Sequence, residues 1–129
     1  MCKDMLMNQT GVLESICKKI IDLDPKIRFA GIISYKGKLL AGGEKEGIEM
    51  RVDKRNHEML FMEVALRVRM RQEFDKQLGP VNFTVSHRGK MVIMSFPFGN
   101  EILYVSGEND LDLAKVPSEI LRIIKDEYN

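Results

Sequence analysis

Residues 65–74 read ALRVRMRQEF, and two opposed structures fit that pattern. Leu66, Val68 and Met70 alternate with Arg67, Arg69 and Arg71, the period-2 rhythm of a half-buried strand. On a strand the three arginines would share one face and could form an anion or nucleic-acid site. The surroundings favour a helix instead. No turn residue interrupts the chain from His57 to Leu78, 22 residues, before Gly79-Pro80. A strand of that length is far outside the usual range of about 3–10 residues. Leu, Met, Arg, Glu, Gln and Ala dominate the segment, and all rank high in helix propensity. On that helix Glu63, Arg67 and Arg71 form one stripe, while Arg69 and Glu73 form another. At about 100° per residue Arg69 lies roughly 200° round from Arg67, so the arginines do not converge as a trio.

The first half of this helix is apolar in almost every direction. Met59, Leu60, Phe61, Met62, Val64, Ala65 and Leu66 surround the axis, with Glu63 the main polar exception. A helix lying on a sheet with its other side in water needs only one apolar stripe. Two covers are expected here. The second is either the charged segment 43–56, GEKEGIEMRVDKRN, folded back over the helix, or another protein surface.

Working outward, Leu13, Ile16, Cys17 and Ile20 fall at helical spacing. They predict a helix capped near Asn8 or Thr10 and stopped before Asp24-Pro25. Residues 27–42, IRFAGIISYKGKLLAG, predict a hairpin turning at Tyr35-Lys36-Gly37-Lys38. After the long helix come VNFTVSH (81–87), KMVIMSF (90–96) and EILYVS (101–106), separated by turns at Arg88-Gly89 and Pro97-Phe98-Gly99-Asn100. Val81, Phe83 and Val85 alternate with Asn82, Thr84 and Ser86, as in a half-exposed strand. The next two strands are apolar on both parities and need cover on both sides. A last helix, capped by Asp110 or Asp112 with Pro117 in its first turn, runs through Leu121 and Ile124. The expected fold class is α+β: one α/β/α sandwich over residues 1–129, with a five-stranded antiparallel sheet in the order α-β-β-α-β-β-β-α.

Composition narrows the function classes. Hydrophobic residues at 44% and charged residues at 30% describe a globular, soluble chain. Twenty Lys and Arg against 19 Asp and Glu leave a formal charge of +1, which speaks against broad nucleic-acid binding. No apolar run is long enough for a membrane helix, and MCKDMLMNQTG lacks the apolar core of a signal peptide. Cys2 and Cys17 are expected to be free thiols, Cys17 buried, in a reducing compartment that is by default the cytoplasm.

The order of elements resembles the Roadblock/LC7 fold, a relative of the profilin-like and longin architectures. The resemblance is carried by IRFAGIISYKGKLLAGG, by MLFMEVALRVRM and by EILYVSGENDLDLAKV. The block LFMEVALRVRMRQEFDKQLGPVNF with VIMSFP also looks like that of a small group of archaeal proteins. The Roadblock/LC7 resemblance implies a non-enzymatic module that forms a homodimer and scaffolds or regulates a small GTPase or a larger assembly. It implies a dimer seam on the helix 57–78 and the strand 81–87. The matching positions are Met59, Leu60, Met62, Glu63, Leu66, Arg67 and Met70 on the helix, with Asn82, Phe83 and Thr84 on the strand. Phe98, in the tip PFGN, is expected to be exposed as a further partner contact.

No catalytic, metal or cofactor motif competes with that reading. His57-Glu58 are adjacent and point about 100° apart, fitting an exposed first helical turn. His87 ends a strand beside a turn, and the chain has no HxxxH or CxxC spacing for zinc. AGGEKEG lacks the Lys-Ser/Thr of a phosphate loop, and GxSxG is absent. The basic tips YKGK and HRGKM would fall at opposite ends of a Roadblock-type sheet. Nine methionines suit either an adaptable core or a tolerant binding face. A PAS- or GAF-type sensor binding a small molecule is the alternative; it would place several short helices between the second and third strands. A nucleic-acid-binding accessory protein is the lesser alternative.

Overall fold

A computed structural model describes residues 3–128, with side chains from 11 to 127. The elements in order are α1 (Lys3–Ile21), β1 (Ile27–Ile33), β2 (Leu39–Glu44) and α2 (Lys54–Arg71). A 3-10 turn (Gln72–Phe74) and one α-helical turn, α3 (Asp75–Leu78), extend α2. Then follow β3 (Thr84–His87), β4 (Val92–Phe98), β5 (Glu101–Gly107) and α4 (Val116–Tyr128). All strand pairs are antiparallel, in the spatial order β2-β1-β5-β4-β3. The expected α+β fold with five antiparallel strands is therefore what forms.

The helices divide between the two faces of the sheet because the central strands are apolar on both parities. Ala30, Ile32, Met94, Phe96, Leu103 and Val105 meet Ile16, Ile20 and Ile120 from α1 and α4. The opposite parity, with Phe29, Ile33, Ile93, Ile102 and Tyr104, meets Phe61, Val64 and Ala65 from α2. Cys17 is a buried free thiol in the first layer, its pKa pushed up to about 12 by burial. Cys2 lies outside the described residues.

The strand directions put the Ser34–Lys38 turn at one end of the sheet and the Arg88–Met91 turn at the other. The two basic tips are accordingly separate. α2 is one continuous 18-residue helix, not the run of short helices a sensor domain would place there.

Several expectations need correction. α1 begins at Lys3, earlier than a cap at Asn8 or Thr10 allows. The middle helix loses regular α-geometry after Arg71, so Glu73 lies in the 3-10 turn. β3 starts only at Thr84, leaving Val81, Asn82 and Phe83 ahead of the strand. Phe98 is not an exposed tip: it is 3% exposed, because β4 continues through it in register with Glu101. Phe96 and Phe98 share a parity, so the Phe98 ring joins the α1/α4 core. His57 is not an exposed first-turn residue either; it is buried between Phe29 and Phe61.

Candidate functional site

α2 is fixed at its start by Asp53, whose carboxylate accepts a hydrogen bond from the Asn56 amide at 2.8 Å. His57, Phe61, Val64 and Ala65 then face the sheet at helical spacing. A second apolar series runs along the opposite side: Met59, Met62, Leu66 and Met70, exposed by 60%, 58%, 51% and 60%. Their spacing of three and four residues keeps them on one stripe. Phe74 and Leu78 continue it past the end of α2, and both are exposed. The resemblance omitted these two, although the same spacing runs through them.

The connection after β2 does not cover this stripe. Arg28 donates to the Glu49 carbonyl, and Arg51 donates to the Lys90 carbonyl and to Glu108 at 2.7 Å. Glu108 also accepts from Arg28 at 2.9 Å, and these two hydrogen bonds hold its carboxyl below the ordinary value. The connection is thereby tied across the end of the sheet. Near α2, Val52 and Asp53 border a shallow depression with Asn56 and Met59, and Met50 lines an open groove with Phe61 and Met62, leaving the stripe residues more than half exposed. Of the two covers considered for the helix, the chain's own connection is excluded.

The sheet also has an open edge, separated from the stripe by the Glu63, Arg67 and Arg71 side of α2. β3 pairs with β4 alone, Thr84 opposite Ser95 and His87 opposite Val92, so its other side has no strand neighbour. Asn82 is exposed, whereas Phe83 stacks on Phe96 with ring centroids 5.8 Å apart. Thr84 faces α2: its hydroxyl accepts from Arg71 at 3.0 Å and lies 2.6 Å from the Ser95 hydroxyl. Glu63 and Arg67 pair at 3.7 Å, both about half exposed, and Leu60 packs partly against the α2-side core. The ten helix and strand positions thus divide: Glu63 and Arg67 form an ion pair, and Asn82 and Phe83 precede β3. Met59, Met62, Leu66 and Met70 make the bare stripe, while Thr84 and Leu60 are partly taken up by the chain itself.

The other candidates for chemistry are structural. His57 Nδ1 lies 3.8 Å from the Glu44 carboxylate, and burial lowers the pKa of His57 and raises that of Glu44. His57 stacks on Phe61 at 4.8 Å and serves as a ring in the core. The Tyr104 hydroxyl beneath is buried without a hydrogen-bond partner among the described residues. His87 Nε2 is 2.8 Å from the Asn109 carbonyl oxygen, which ties down the end of β3. Among the described residues no three His, Cys, Asp or Glu side chains group as metal ligands, and no helix is long and apolar enough to cross a membrane. An open groove of about 810 Å3 lies between the β1–β2 turn and α2, bordered by Lys36, Lys38, Leu39 and Met62.

The fold has clear counterparts among solved structures. The gliding protein MglB of Thermus thermophilus superimposes with a TM-score of 0.69 at 20% identity, covering 91% of each chain. A Roadblock/LC7 domain from Streptomyces avermitilis gives 0.68 at 14% identity, covering 88% of this chain and 92% of its own. Profilin II of Acanthamoeba castellanii is more distant, at 0.55 and 9% identity over 90% of this chain and 95% of its own. At these identities the likeness establishes a Roadblock/LC7 fold related to profilin. No curated protein matches the sequence. One family model spans residues 2–129, and the chain therefore belongs to the family of unknown function DUF6659.

Proposed function

We propose that the chain acts as a single non-enzymatic interaction module, a cytoplasmic homodimer that scaffolds or regulates another protein. The observation that carries this reading is the bare stripe Met59–Met62–Leu66–Met70 on α2, together with the unpaired edge of β3. An exposed apolar stripe and an open strand edge are each a liability for a lone chain, and one act of pairing removes both. Methionine suits such a face, because its flexible thioether packs against varied shapes. Support from outside the chain comes from an MglB structure described as having a tetrameric arrangement, similar at a TM-score of 0.68 and 17% identity. A small GTPase, or a larger assembly, is the partner class the Roadblock resemblance suggests for the paired platform.

Sedimentation of the purified chain at micromolar concentration tests the pairing. A dimer is expected, and Leu66→Glu should weaken it by at least about tenfold, as truncations of central interface residues do. Leu66 is 51% exposed, so the carboxylate should not break the core, and the variant should keep a cooperative urea transition, its midpoint lowered only by the lost pairing. A monomeric native chain, or an undiminished Leu66→Glu dimer, rejects the proposal.

A further inference from the structure

The arginines of the middle helix have a second setting. Between α2 and β3 the surface opens into a cleft of about 290 Å3, in which polar side chains stand beside Val64 and Ile93. α2 contributes Arg67 and Arg71, and the turn after β3 contributes Arg88. Thr84, Ser86 and Ser95 bring hydroxyls from β3 and β4. Glu63 is the one carboxylate among the described residues that line the cleft. Its pairing with Arg67, 3.7 Å long and half exposed, is of the kind that water screens. Arg71 and Arg88 pair with no carboxylate among the described residues. Arg71 donates to the Thr84 hydroxyl, which spends one of its five N–H donors and fixes the guanidinium over the sheet. Partial burial and the neighbouring Arg67 both act against the charge of Arg71.

We propose that this cleft binds a phosphate-class oxyanion, held by Arg67, Arg71 and Arg88, with the Ser86 hydroxyl and one of the paired Thr84 and Ser95 hydroxyls as further donors. The donors come from the helix on one side, the turn on the other and the sheet between them. A tetrahedral oxyanion presents oxygens in several directions and can meet all three, whereas a planar carboxylate fills one guanidinium fork. The volume admits a phosphoryl group with room for part of what carries it. The inference is read from one copy of the chain and does not rest on pairing.

Amide NMR titrations with inorganic phosphate and with phenyl phosphate, at constant ionic strength against chloride, test the site. Saturable shifts are expected at Arg71 and along Thr84–Arg88. Saturation by inorganic phosphate supports recognition of the dianion itself, and saturation by phenyl phosphate alone supports a phosphoryl group carried on an organic body. Arg88→Gln, exposed and outside the proposed seam, should weaken binding by about tenfold and leave sedimentation unchanged. Loss of phosphate binding in that variant with the dimer intact separates this site from the pairing reading. Lys36→Gln with Lys38→Gln, at the opposite end of the sheet, should leave binding as it is. Equal shifts with chloride, or phosphate binding that survives both Arg88→Gln and Arg71→Gln, overturn the proposal.

Discussion

The two sides of α2 are both apolar, yet they are made of different materials. Toward the sheet stand a ring, a branched residue and a small one: Phe61, Val64 and Ala65, with His57 beside them. Phe61 meets Tyr104 edge to face at 4.9 Å and 86°, and Phe29 tilted at 5.7 Å. Away from the sheet stand Met59, Met62, Leu66 and Met70, three of them unbranched thioethers. Rigid side chains select one arrangement, as a core requires. Flexible ones adapt to a surface that meets them later, at the cost of specifying it less. The difference marks which side was made to fold and which remains available for contact.

That contrast is broken most severely from the inside. Phe61→Ala should cost about 3–5 kcal/mol in urea denaturation, since it removes a buried ring and leaves a cavity. Met70→Ala, on the exposed side, should stay within about 0.5 kcal/mol. Both are best measured in the Leu66→Glu background, so that pairing does not add to apparent stability. A Met70→Ala cost close to that of Phe61→Ala would mean that the outer side is not bare.

The next effect separates two turns that look alike in the sequence. Gly37 and Gly89 each sit in a basic hairpin tip, but only the first tip leans on α2. Gly37 has φ +83°, and a Cβ there would come within 2.7 Å of the Met62 Cα. Gly37→Ala should therefore cost about 1–3 kcal/mol and loosen the hairpin from the helix. A Cβ on Gly89 meets nothing within 4 Å, so Gly89→Ala should be nearly silent. Urea midpoints for the pair, with hydrogen exchange at residues 34–38, read the difference. Equal costs would show that the close approach of Gly37 to Met62 carries no stability.

What could be read in advance follows the range of the physics involved. Parity placed the two-sided strands and hence both helix layers, because alternation is local. The same rule held the clue to Phe98, which shares the buried parity of Val92, Met94 and Phe96; a Pro-Phe-Gly turn signal overrode it. His57 was misplaced because a polar residue in a first turn suggests solvent, although its spacing to Phe61 and Ala65 is that of the inner stripe. Nothing in QEF announces the loss of α-geometry after Arg71, and Gly79-Pro80 marks only the final stop. The Arg67–Arg71–Arg88 cleft was out of reach, since it depends on where β3 lies relative to the end of α2. Helical phase rightly separated Arg69 from the other two, but it could not show that Thr84 receives Arg71.

The smallest effect belongs to the titratable member of the inner side. Burial lowers the pKa of His57 below its ordinary 6.5, and the Glu44 carboxylate at 3.8 Å does not reverse that. Between the depressed folded value and about 6.5 the unfolded chain therefore binds more protons than the folded one. Stability should fall as pH drops below about 6.5 and level off once the folded histidine is protonated too. Glu44 works the other way in a lower window. Burial raises its pKa above 4.5, so its contribution is present at low pH and lost as pH rises through the raised value. The two are separated by a difference curve. His57→Phe keeps a ring between Phe29 and Phe61 while removing the proton, and native minus variant stability isolates the histidine. A decline in that difference from about pH 7 to about pH 5 is expected. A flat difference over that range would mean that His57 titrates alike in both states, and that the inner side of α2 is wetter at its first turn than its packing implies.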